Sequence, residues 1–311
     1  MKKLVYLLFT AFVITSCNND DDHTPSSVPP SASSFANLIN AQRQARTQTQ
    51  IFNLDQEDIA FTSEQEAFLN IPRTSLALNG APVTGNVKLE FIELYHAADL
   101  LLTNVSTMGI NGNNLNLLKT GGAFYINVTK NGVPVDVVDE YYLYAKASLT
   151  GGDVNGYTSW TGDQTSSIME WTNTGVDVVE GESGYLYAIL NDLNWINIDK
   201  FRFQDNASTA AISMNIASQY NHLNCNIYFL IPDVTDSIGQ FNLTNGNNLT
   251  LQNIPTGITM RIIILTESNG NFKMAHKDFT TSSTMTVSIP ESDFNLYAPS
   301  QVYDAIMNLY F

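Results

Sequence analysis

The stretch Leu76–Leu94 reads LALNGAPVTGNVKLEFIEL, and the stretch Phe124–Val138 reads FYINVTKNGVPVDVV. In each, an Asn-Gly pair stands between runs in which apolar and polar residues alternate. Asn-Gly readily takes the two positive φ angles of a type I′ turn, so this arrangement predicts a β-hairpin. The pair occurs six times in the chain, at residues 79–80, 111–112, 131–132, 155–156, 245–246 and 269–270.

Beyond residue 50 the pattern offers strands and tight turns but no long amphipathic helix. Strands without intervening helices favour β-sandwiches over a parallel α/β sheet. The length of this region exceeds what one small sandwich uses, so we predict an all-β fold of two or three tandem antiparallel β-sandwich domains. We place a first domain at 51–140, a β-rich middle domain at 141–208 and a third at 209–311, which ends in a short helix around Val302 to Leu309. Whether the first two regions share one core is left open by the pattern.

The first 16 residues are typical of a bacterial signal peptide. Lys2 and Lys3 precede an apolar run from Leu4 to Ile14, which is shorter than the roughly 20 residues that a membrane-spanning helix needs. The segment Ile14-Thr-Ser-Cys17 resembles a lipobox, in which the cysteine is acylated and becomes the first residue of the mature chain. We therefore predict lipidation of Cys17. The alternative is an ordinary secretory signal that ends in a cysteine by chance.

A polar tract and a tether follow Cys17. The tract at residues 18–22 resembles the acidic export signal of Bacteroidetes lipoproteins that are sent to the cell surface, so it predicts surface display. The alternative is that the tract is a simple spacer and that the lipoprotein faces the periplasm. The stretch 23–34 reads HTPSSVPPSASS and is rich in Pro and Ser, so it is predicted to form a flexible tether. Residues 35–50 could form a short helix on propensity, and we group 17–50 as the lipidated cysteine, the acidic tract and the tether, outside the folded domains. The tract consists of Asn18, Asn19, Asp20, Asp21 and Asp22.

Composition restricts the class of partner and cofactor. The chain has 14 Lys and Arg against 30 Asp and Glu, for a formal net charge of −16, which argues against a nucleic-acid partner because such binding neutralises phosphates with basic side chains. Nucleotide-binding loops and clustered metal ligands are absent from the sequence, so we predict no cofactor and no metal. With Cys17 acylated, Cys225 is the remaining thiol, and its strand-like surroundings predict that it is buried and inert.

Acidic residues suggest two further sites, each with a structural alternative. Asp192 and Asp199 flank Trp195, and two carboxylates beside an aromatic ring could form a sugar-cleaving pair. The alternative interpretation makes Trp195 a core residue and Asp199 a hydrogen-bond acceptor. Asp153, Asn155 and Asp163 could place oxygen ligands around calcium, although the loop lacks the later ligands of an EF-hand.

Aromatic residues and one serine suggest surface sites. A platform for a glycan or peptide is predicted on Trp160, Trp171, Tyr141 and Tyr142, with Tyr144 in the same cluster, because stacking on a rigid ring costs little side-chain entropy. Core packing is the alternative. Tyr141 and Tyr142 are adjacent, so in a strand they face opposite sides. Asp236-Ser237-Ile238 fits the Bacteroidetes O-glycosylation pattern and predicts a glycan on Ser237.

Several short segments resemble a known family. Over residues 70–138, Ile71-Pro72, Pro82–Gly85 and Thr120–Gly122 resemble the N-terminal module of flavobacterial-type Bacteroidetes surface lipoproteins, a ZU5-like β-sandwich. The segment WINIDKF at 195–201 is similar to that group's Gly-Trp-Ile-Asn-Cys-Asp-Arg-Phe signature, from which Asn194, Ile198 and Lys200 depart. The last third is similar to carboxypeptidase-regulatory-like or prealbumin-like sandwiches. The resemblance implies a β-sandwich architecture and an envelope location. It implies nothing about activity, because the group has no established one.

Together these patterns predict a lipid-anchored outer-membrane protein with a non-enzymatic role in binding, adhesion or envelope assembly. Its expected partners are the membrane, through the lipid on Cys17, and a glycan or an envelope protein. One alternative is an accessory subunit of an outer-membrane transport or secretion complex, which would need a large exposed apolar patch. The other is a surface glycan-processing hydrolase that uses Asp192 or Asp199.

Overall fold

A computed structural model of the chain describes residues 29–164, 168–181, 184–203, 209–234, 236–241 and 248–310. Cys17 and the tract Asn18–Asp22 lie outside the described residues. The described helices are α1 (Ala32–Arg46), α2 (Ala97–Leu102) and α3 (Val302–Met307). The described strands are β1 (Gln48–Asn53), β2 (Ile59–Thr62), β3 (Phe68–Ile71), β4 (Leu76–Leu78), β5 (Ala81–Pro82), β6 (Asn86–Leu94), β7 (Met108–Asn111), β8 (Asn114–Lys130), β9 (Val133–Pro134), β10 (Asp136–Val137), β11 (Tyr141–Lys146), β12 (Thr158–Asp163), β13 (Glu170–Asp177), β14 (Val179–Glu180), β15 (Tyr185–Leu190), β16 (Asn194–Phe201), β17 (Thr209–Ile216), β18 (Cys225–Leu230), β19 (Ile238–Phe241), β20 (Asn248–Gln252), β21 (Thr259–Ser268), β22 (Asn271–Thr280), β23 (Thr284–Ile289) and β24 (Asn295–Tyr297).

The fold is all-β in character, as predicted, and its strands form several sheets. Sheet A has the order β1-β6-β8-β16-β12-β13-β7, with β9 paired to β8. Sheet B has the order β14-β15-β11-β3-β2, and sheet C has the order β19-β18-β21-β22-β24. Two three-stranded sheets, β10-β4-β5 and β20-β17-β23, complete the arrangement. Most pairings are antiparallel; β13 with β7 and β17 with β23 are parallel.

The predicted boundary at residue 140 does not separate two units in this structure. Strand β16 pairs with β8 from Asn194, opposite Ile126, to Phe201, opposite Leu118, so the regions 51–140 and 141–208 contribute neighbouring strands to sheet A. Buried side chains of sheets A and B also meet in one hydrophobic cluster. The regions 51–140 and 141–208 therefore build one sheet and one hydrophobic core together.

Asn-Gly turns connect hairpins at three of the predicted sites. Asn79, Asn131 and Asn269 have φ of 53°, 51° and 51°, and the glycine after each is also positive. These turns link β4 to β5, β8 to β9 and β21 to β22. At 111–112 a hairpin also forms, since β7 pairs with β8 and Asn111 lies opposite Asn114. There and at 155–156 only the glycine of the pair has a positive φ. The pair 245–246 lies outside the described residues.

Helix α1 agrees with the possible short helix over 35–50 and corrects the grouping of residues 32–50 with the tether. The Ser31 hydroxyl caps its start by accepting a hydrogen bond from the Ser34 amide at 3.2 Å, and Phe35 and Ile39, four residues apart on one face, are buried. Strand β1 follows at once and pairs with β6. Residues 31–53 are therefore part of the folded body, because Phe35 and Ile39 anchor the helix to it.

The C-terminal part of the chain packs against the remainder through the helices. A second hydrophobic cluster joins α1, α2 and α3 to buried residues of sheets A and C. The Ser31 amide donates to Glu267 Oε1 at 2.7 Å, while Arg46 near the other end of α1 pairs with Asp99 at 2.8 Å. Helix α1 thus bridges both parts. The predicted C-terminal helix is confirmed as α3, and no described helix is long and apolar enough to cross a membrane.

Candidate functional site

The outer face of sheet B carries a group of aromatic side chains. Along its central strands, alternate residues such as Leu143 and Leu186 are fully buried, so the residues between them point to the opposite face. We call the half-buried aromatic residues on that face the aromatic face. It consists of Phe68 on β3, Tyr142 and Tyr144 on β11, and Tyr185 and Tyr187 on β15.

The strand register aligns three of these rings in a row. Tyr144 lies opposite Tyr187 on β15 and opposite Phe68 on β3. The ring centroid of Tyr144 lies 4.7 Å from that of Tyr187 and 5.9 Å from that of Phe68. Tyr142 stacks on Tyr187 with centroids 5.7 Å apart. Since neighbouring strands lie about 4.8 Å apart, the row from Tyr187 to Phe68 extends about 10 Å across the sheet.

Polar groups border the row on one side. An open depression of about 640 Å³ is lined by Thr62, Glu66, Phe68, Tyr144 and Tyr185. The Lys146 ammonium pairs with the Glu66 carboxylate at this edge. Burial, followed by the neighbouring phenol of Tyr144, raises the pKa of Tyr187. Like other tyrosine hydroxyls it is protonated at neutral pH and can donate a hydrogen bond. The surface therefore offers apolar ring faces beside hydrogen-bonding groups.

Three of the four residues in the predicted platform are in the core. Trp160, Trp171 and Tyr141 are 1%, 0% and 0% exposed. Trp160 Nε1 donates to the Asp199 carbonyl at 3.0 Å, and Trp171 Nε1 donates to the Ser106 carbonyl at 2.6 Å. Their polar atoms are thus satisfied inside the protein, which corrects the predicted platform. Tyr142 lies on the aromatic face, since it faces away from Tyr141.

The two candidate catalytic carboxylates do not form a pair. Asp199 is fully buried, whereas Asp192 is exposed before the start of β16. Asp199 lies within β16 and pairs with Thr120 of β8, whereas Asp192 lies in the loop before the strand. Trp195 between them is buried. The arrangement agrees with the structural alternative and brings no two acids together in a cleft.

The buried Asp199 carboxyl belongs to a polar network inside sheet A. Asn197 Nδ2 donates to Asp199 Oδ2 at 2.6 Å, and the Thr120 hydroxyl donates to Asn197 Oδ1 at 2.9 Å. Asp199 Oδ1 has no hydrogen-bond partner. Burial raises the pKa of Asp199 well above its usual range, and the nearby Asp236 adds to this effect. The group has the altered pKa of many catalytic acids, but it lacks access for a substrate.

The candidate calcium loop is occupied by protein cations. Asp153 Oδ2 lies 2.9 Å from Lys119 Nζ and 2.6 Å from Lys200 Nζ, and these two ammonium groups hold the pKa of Asp153 far below its usual value. Asp163 is exposed at the end of β12. The described part of the chain contains no group of three or more His, Cys, Asp or Glu that could hold a metal. The ligands proposed from sequence are therefore not assembled around a cation site.

Ser237 and Cys225 are both inaccessible. The Ser237 residue is 0% exposed, and its neighbour Ile238 is held by a hydrogen bond from its amide to the Thr107 hydroxyl at 2.8 Å. A glycan on Ser237 has no room in this fold, which corrects that prediction. Cys225 is buried as predicted, and burial raises the pKa of its thiol to about 12, so it is not a reactive thiolate.

Sequence reasoning missed most of the aromatic face. Tyr142-Leu-Tyr144 recurs as Tyr185-Leu-Tyr187, and in a strand each tripeptide places both tyrosines on one side. This repeat was the available signal for two strands of the surface. Phe68 joins them only through the pairing of β3 with β11, which no local pattern shows. No family model, curated protein or solved structure matches the chain.

Proposed function

We propose that this protein is a non-enzymatic binding protein of the cell envelope and that its aromatic face binds a glycan. The observation that carries the proposal is the row of half-buried rings Tyr187, Tyr144 and Phe68 on the outer side of sheet B. Rings held by hydrogen-bonded strands are already ordered before binding, so a ligand that stacks on them loses little affinity to side-chain ordering.

A sugar chain suits this surface better than an apolar partner does. Pyranose rings present C–H faces that pack on aromatic rings, and their hydroxyl groups need hydrogen-bonding partners at the edges. The phenol groups of Tyr144 and Tyr187, together with Glu66 and Lys146, supply such partners beside the rings. The row is long enough for a short oligosaccharide to lie across the strands.

The envelope location is part of the proposal and rests on the sequence. Lipidation of Cys17 would attach the chain to the outer membrane, and the residues between Cys17 and helix α1 would separate the folded part from the lipid. The acidic tract supports display at the cell surface. The hydrophobic cluster shared by sheets A and B supports a two-layer β-sandwich, and the ZU5-like assignment of that module stays a prediction.

The two alternatives receive less support. A hydrolase acting through Asp192 and Asp199 would need both acids in one cleft, whereas Asp199 is fully buried and Asp192 is exposed. An accessory subunit would need a large apolar patch. Large exposed apolar residues in the described part of the chain, among them Ile51, Leu223 and Leu296, are on separate elements. That role stays a prediction.

Affinity electrophoresis tests the proposal. The full chain is run through gels that contain xylan, mannan or a mixed-linkage β-glucan, and retardation reports binding. We expect one of these polysaccharides to retard the wild type and Tyr144→Ala to bind at least about tenfold more weakly, because a stacking contact of about 1.5 kcal/mol is lost.

Tyr297→Ala is the matched control, since Tyr297 is a half-buried tyrosine on sheet C. It should bind like the wild type. If none of the polysaccharides retards the wild type, or if Tyr144→Ala and Tyr187→Ala bind as well as the control, the aromatic face is not a glycan site.

A further inference from the structure

Arg43 on helix α1 is a half-buried cation without a carboxylate partner in the described part of the chain. Its Nε donates to the Thr103 carbonyl at 2.7 Å, and its Cζ lies 5.8 Å from the centre of the Trp195 ring. These contacts fix the plane of the guanidinium. Nearby Arg46 on the same helix, in contrast, pairs with Asp99.

A pocket of about 410 Å³ opens beside the Arg43 guanidinium. Its floor is a cross-strand row of sheet A, in which Ile92 lies opposite Tyr125 and Tyr125 lies opposite Trp195. The Tyr125 and Trp195 rings have centroids 5.3 Å apart. Tyr125 is half-buried and gives the pocket an apolar aromatic wall next to the positive charge.

Amide side chains complete the rim of this pocket. Asn40 precedes Arg43 by about one helical turn, and Gln164 also lines the pocket. Gln164 Nε2 donates to the Asn104 carbonyl at 3.1 Å, which fixes the amide and leaves its oxygen as an acceptor. The rim therefore holds donors and acceptors suited to ligand hydroxyl groups.

The electrostatics of the pocket favour an anion. Burial lowers the pKa of Arg43, and the tyrosines Tyr228 and Tyr125 offset this only in part. A bound carboxylate would compensate the desolvated charge. Arginine presents a planar fork that matches the two oxygens of a carboxylate, and such charge-assisted pairs are stronger than neutral hydrogen bonds.

We propose that this pocket, the Arg43 pocket, binds the carboxylate of a sugar acid. The two Nη groups of Arg43 would hold the carboxylate, Tyr125 would contact the sugar ring, and Asn40 and Gln164 would bond its hydroxyl groups. The Arg43 pocket shares no lining residue with the aromatic face, so either proposal can be correct without the other.

Titration with glucuronate, followed by NMR of the ¹⁵N-labelled full chain, tests the proposal. The reporter is the indole N–H signal of Trp195, assigned with the Trp195→Phe variant. We expect glucuronate to shift this signal in a saturable manner at constant ionic strength, and glucose, which lacks the carboxylate, to leave it unchanged. Acetate should bind more weakly than glucuronate because it cannot contact Tyr125.

The variant Arg43→Gln and a control variant test whether glucuronate binds at the Arg43 pocket. Arg43→Gln should weaken glucuronate binding at least about tenfold, since a charged hydrogen-bonded pair is lost. Arg73→Gln removes the same charge from an exposed position whose guanidinium donates to the backbone carbonyls of Leu54 and Asp55, and it should bind like the wild type.

Asn40→Asp keeps Arg43 and its contact with Thr103, and it covers the case in which Arg43→Gln does not fold. The new carboxylate lies three residues before Arg43 on the helix, where the two side chains can pair, and it should compete with glucuronate and reduce binding to the same extent. Equal binding of glucose and glucuronate, no shift with either, or unchanged affinity in the folded variants would overturn the proposal.

Discussion

The ring centroids of Tyr144 and Tyr187 lie 4.7 Å apart at directly opposed positions of β11 and β15. Aromatic pairs at such cross-strand positions stabilise a sheet as well as shaping its surface. The contact between these two rings holds the centre of the aromatic face in one geometry, which is what a stacking surface for a glycan requires.

A double-mutant cycle on this pair measures the contact. We expect Tyr144→Ala and Tyr187→Ala together to cost less than the sum of the single variants, with a coupling free energy of about 0.5–1.5 kcal/mol. Urea unfolding gives the four free energies. The pair Tyr144 and Tyr297 lies on separate sheets and should be additive. A coupling of zero for Tyr144 and Tyr187 would contradict the ordered geometry.

The sequence predicts local features of this fold well. At Asn79, Asn131 and Asn269 the preference of Asn-Gly for positive φ is a property of the turn itself, and hairpins form there. The short helix near Val302 likewise follows from nearby residues. These features are set by interactions within a few residues of chain.

Long-range packing explains what the sequence did not predict. Alternation shows that a strand has two faces but not which face another sheet covers, so Trp160 and Trp171 are buried in a cluster shared with α2 and sheet C. Ser237 is enclosed because Ile238 pairs with Thr107, which is 131 residues away in the chain. Arg43 acquires its pocket only when α1 packs on sheet A.

A substitution of Phe35 tests whether helix α1 is packed on the folded body. Its side chain is 4% exposed in the cluster that joins α1 to sheets A and C, so Phe35→Ala should lower the free energy of unfolding by about 3 kcal/mol. Denaturant unfolding provides the measurement. Asn37→Ala, an exposed position on the same helix, should change it by less than about 0.5 kcal/mol. Equal stability of the two variants would show that residues 31–46 form a loose tether after all.

Gly239 on β19 is required by the close approach of Phe229. A Cβ atom at position 239 would lie 1.8 Å from Phe229 Cζ, and the flanking strands β18 and β19 are paired there. Gly239→Ala should therefore destabilise the protein by about 3 kcal/mol or more, through overpacking. Thermal or urea unfolding would measure this loss.

Gly132→Ala is the control for Gly239→Ala. Gly132 has φ of +80° and open space around the added Cβ. Gly132→Ala should therefore lower the free energy of unfolding by only about 1–2 kcal/mol, through strain of an alanine in the left-handed region. The variant Gly239→Ala should also be partly rescued by Phe229→Leu, which frees space. If Gly239→Ala costs no more than Gly132→Ala, the ring of Phe229 moves aside easily.

Asp199 should make the protein less stable as the pH rises. Its carboxyl is fully buried and its pKa in the folded state is raised by burial, while in the unfolded chain the pKa is about 3.9. Below that value both states are protonated and the folded state keeps its full stability. Above it the unfolded chain releases its proton more easily, so stability falls until the pH passes the folded pKa.

The variant Asp199→Asn isolates this effect. An amide cannot ionise, and its oxygen can still accept the bond that Asn197 Nδ2 gives to Asp199 Oδ2 at 2.6 Å. Relative to the wild type, we expect the free energy of unfolding of the variant to gain about 1–3 kcal/mol between pH 4 and pH 7, because only the wild type loses stability as the carboxyl of its unfolded chain ionises. Urea unfolding from pH 4 to pH 8 measures it, with exposed Asp192→Asn as the control. A loss of stability that is equal at every pH would mean that the network depends on the carboxyl itself rather than on its protonation.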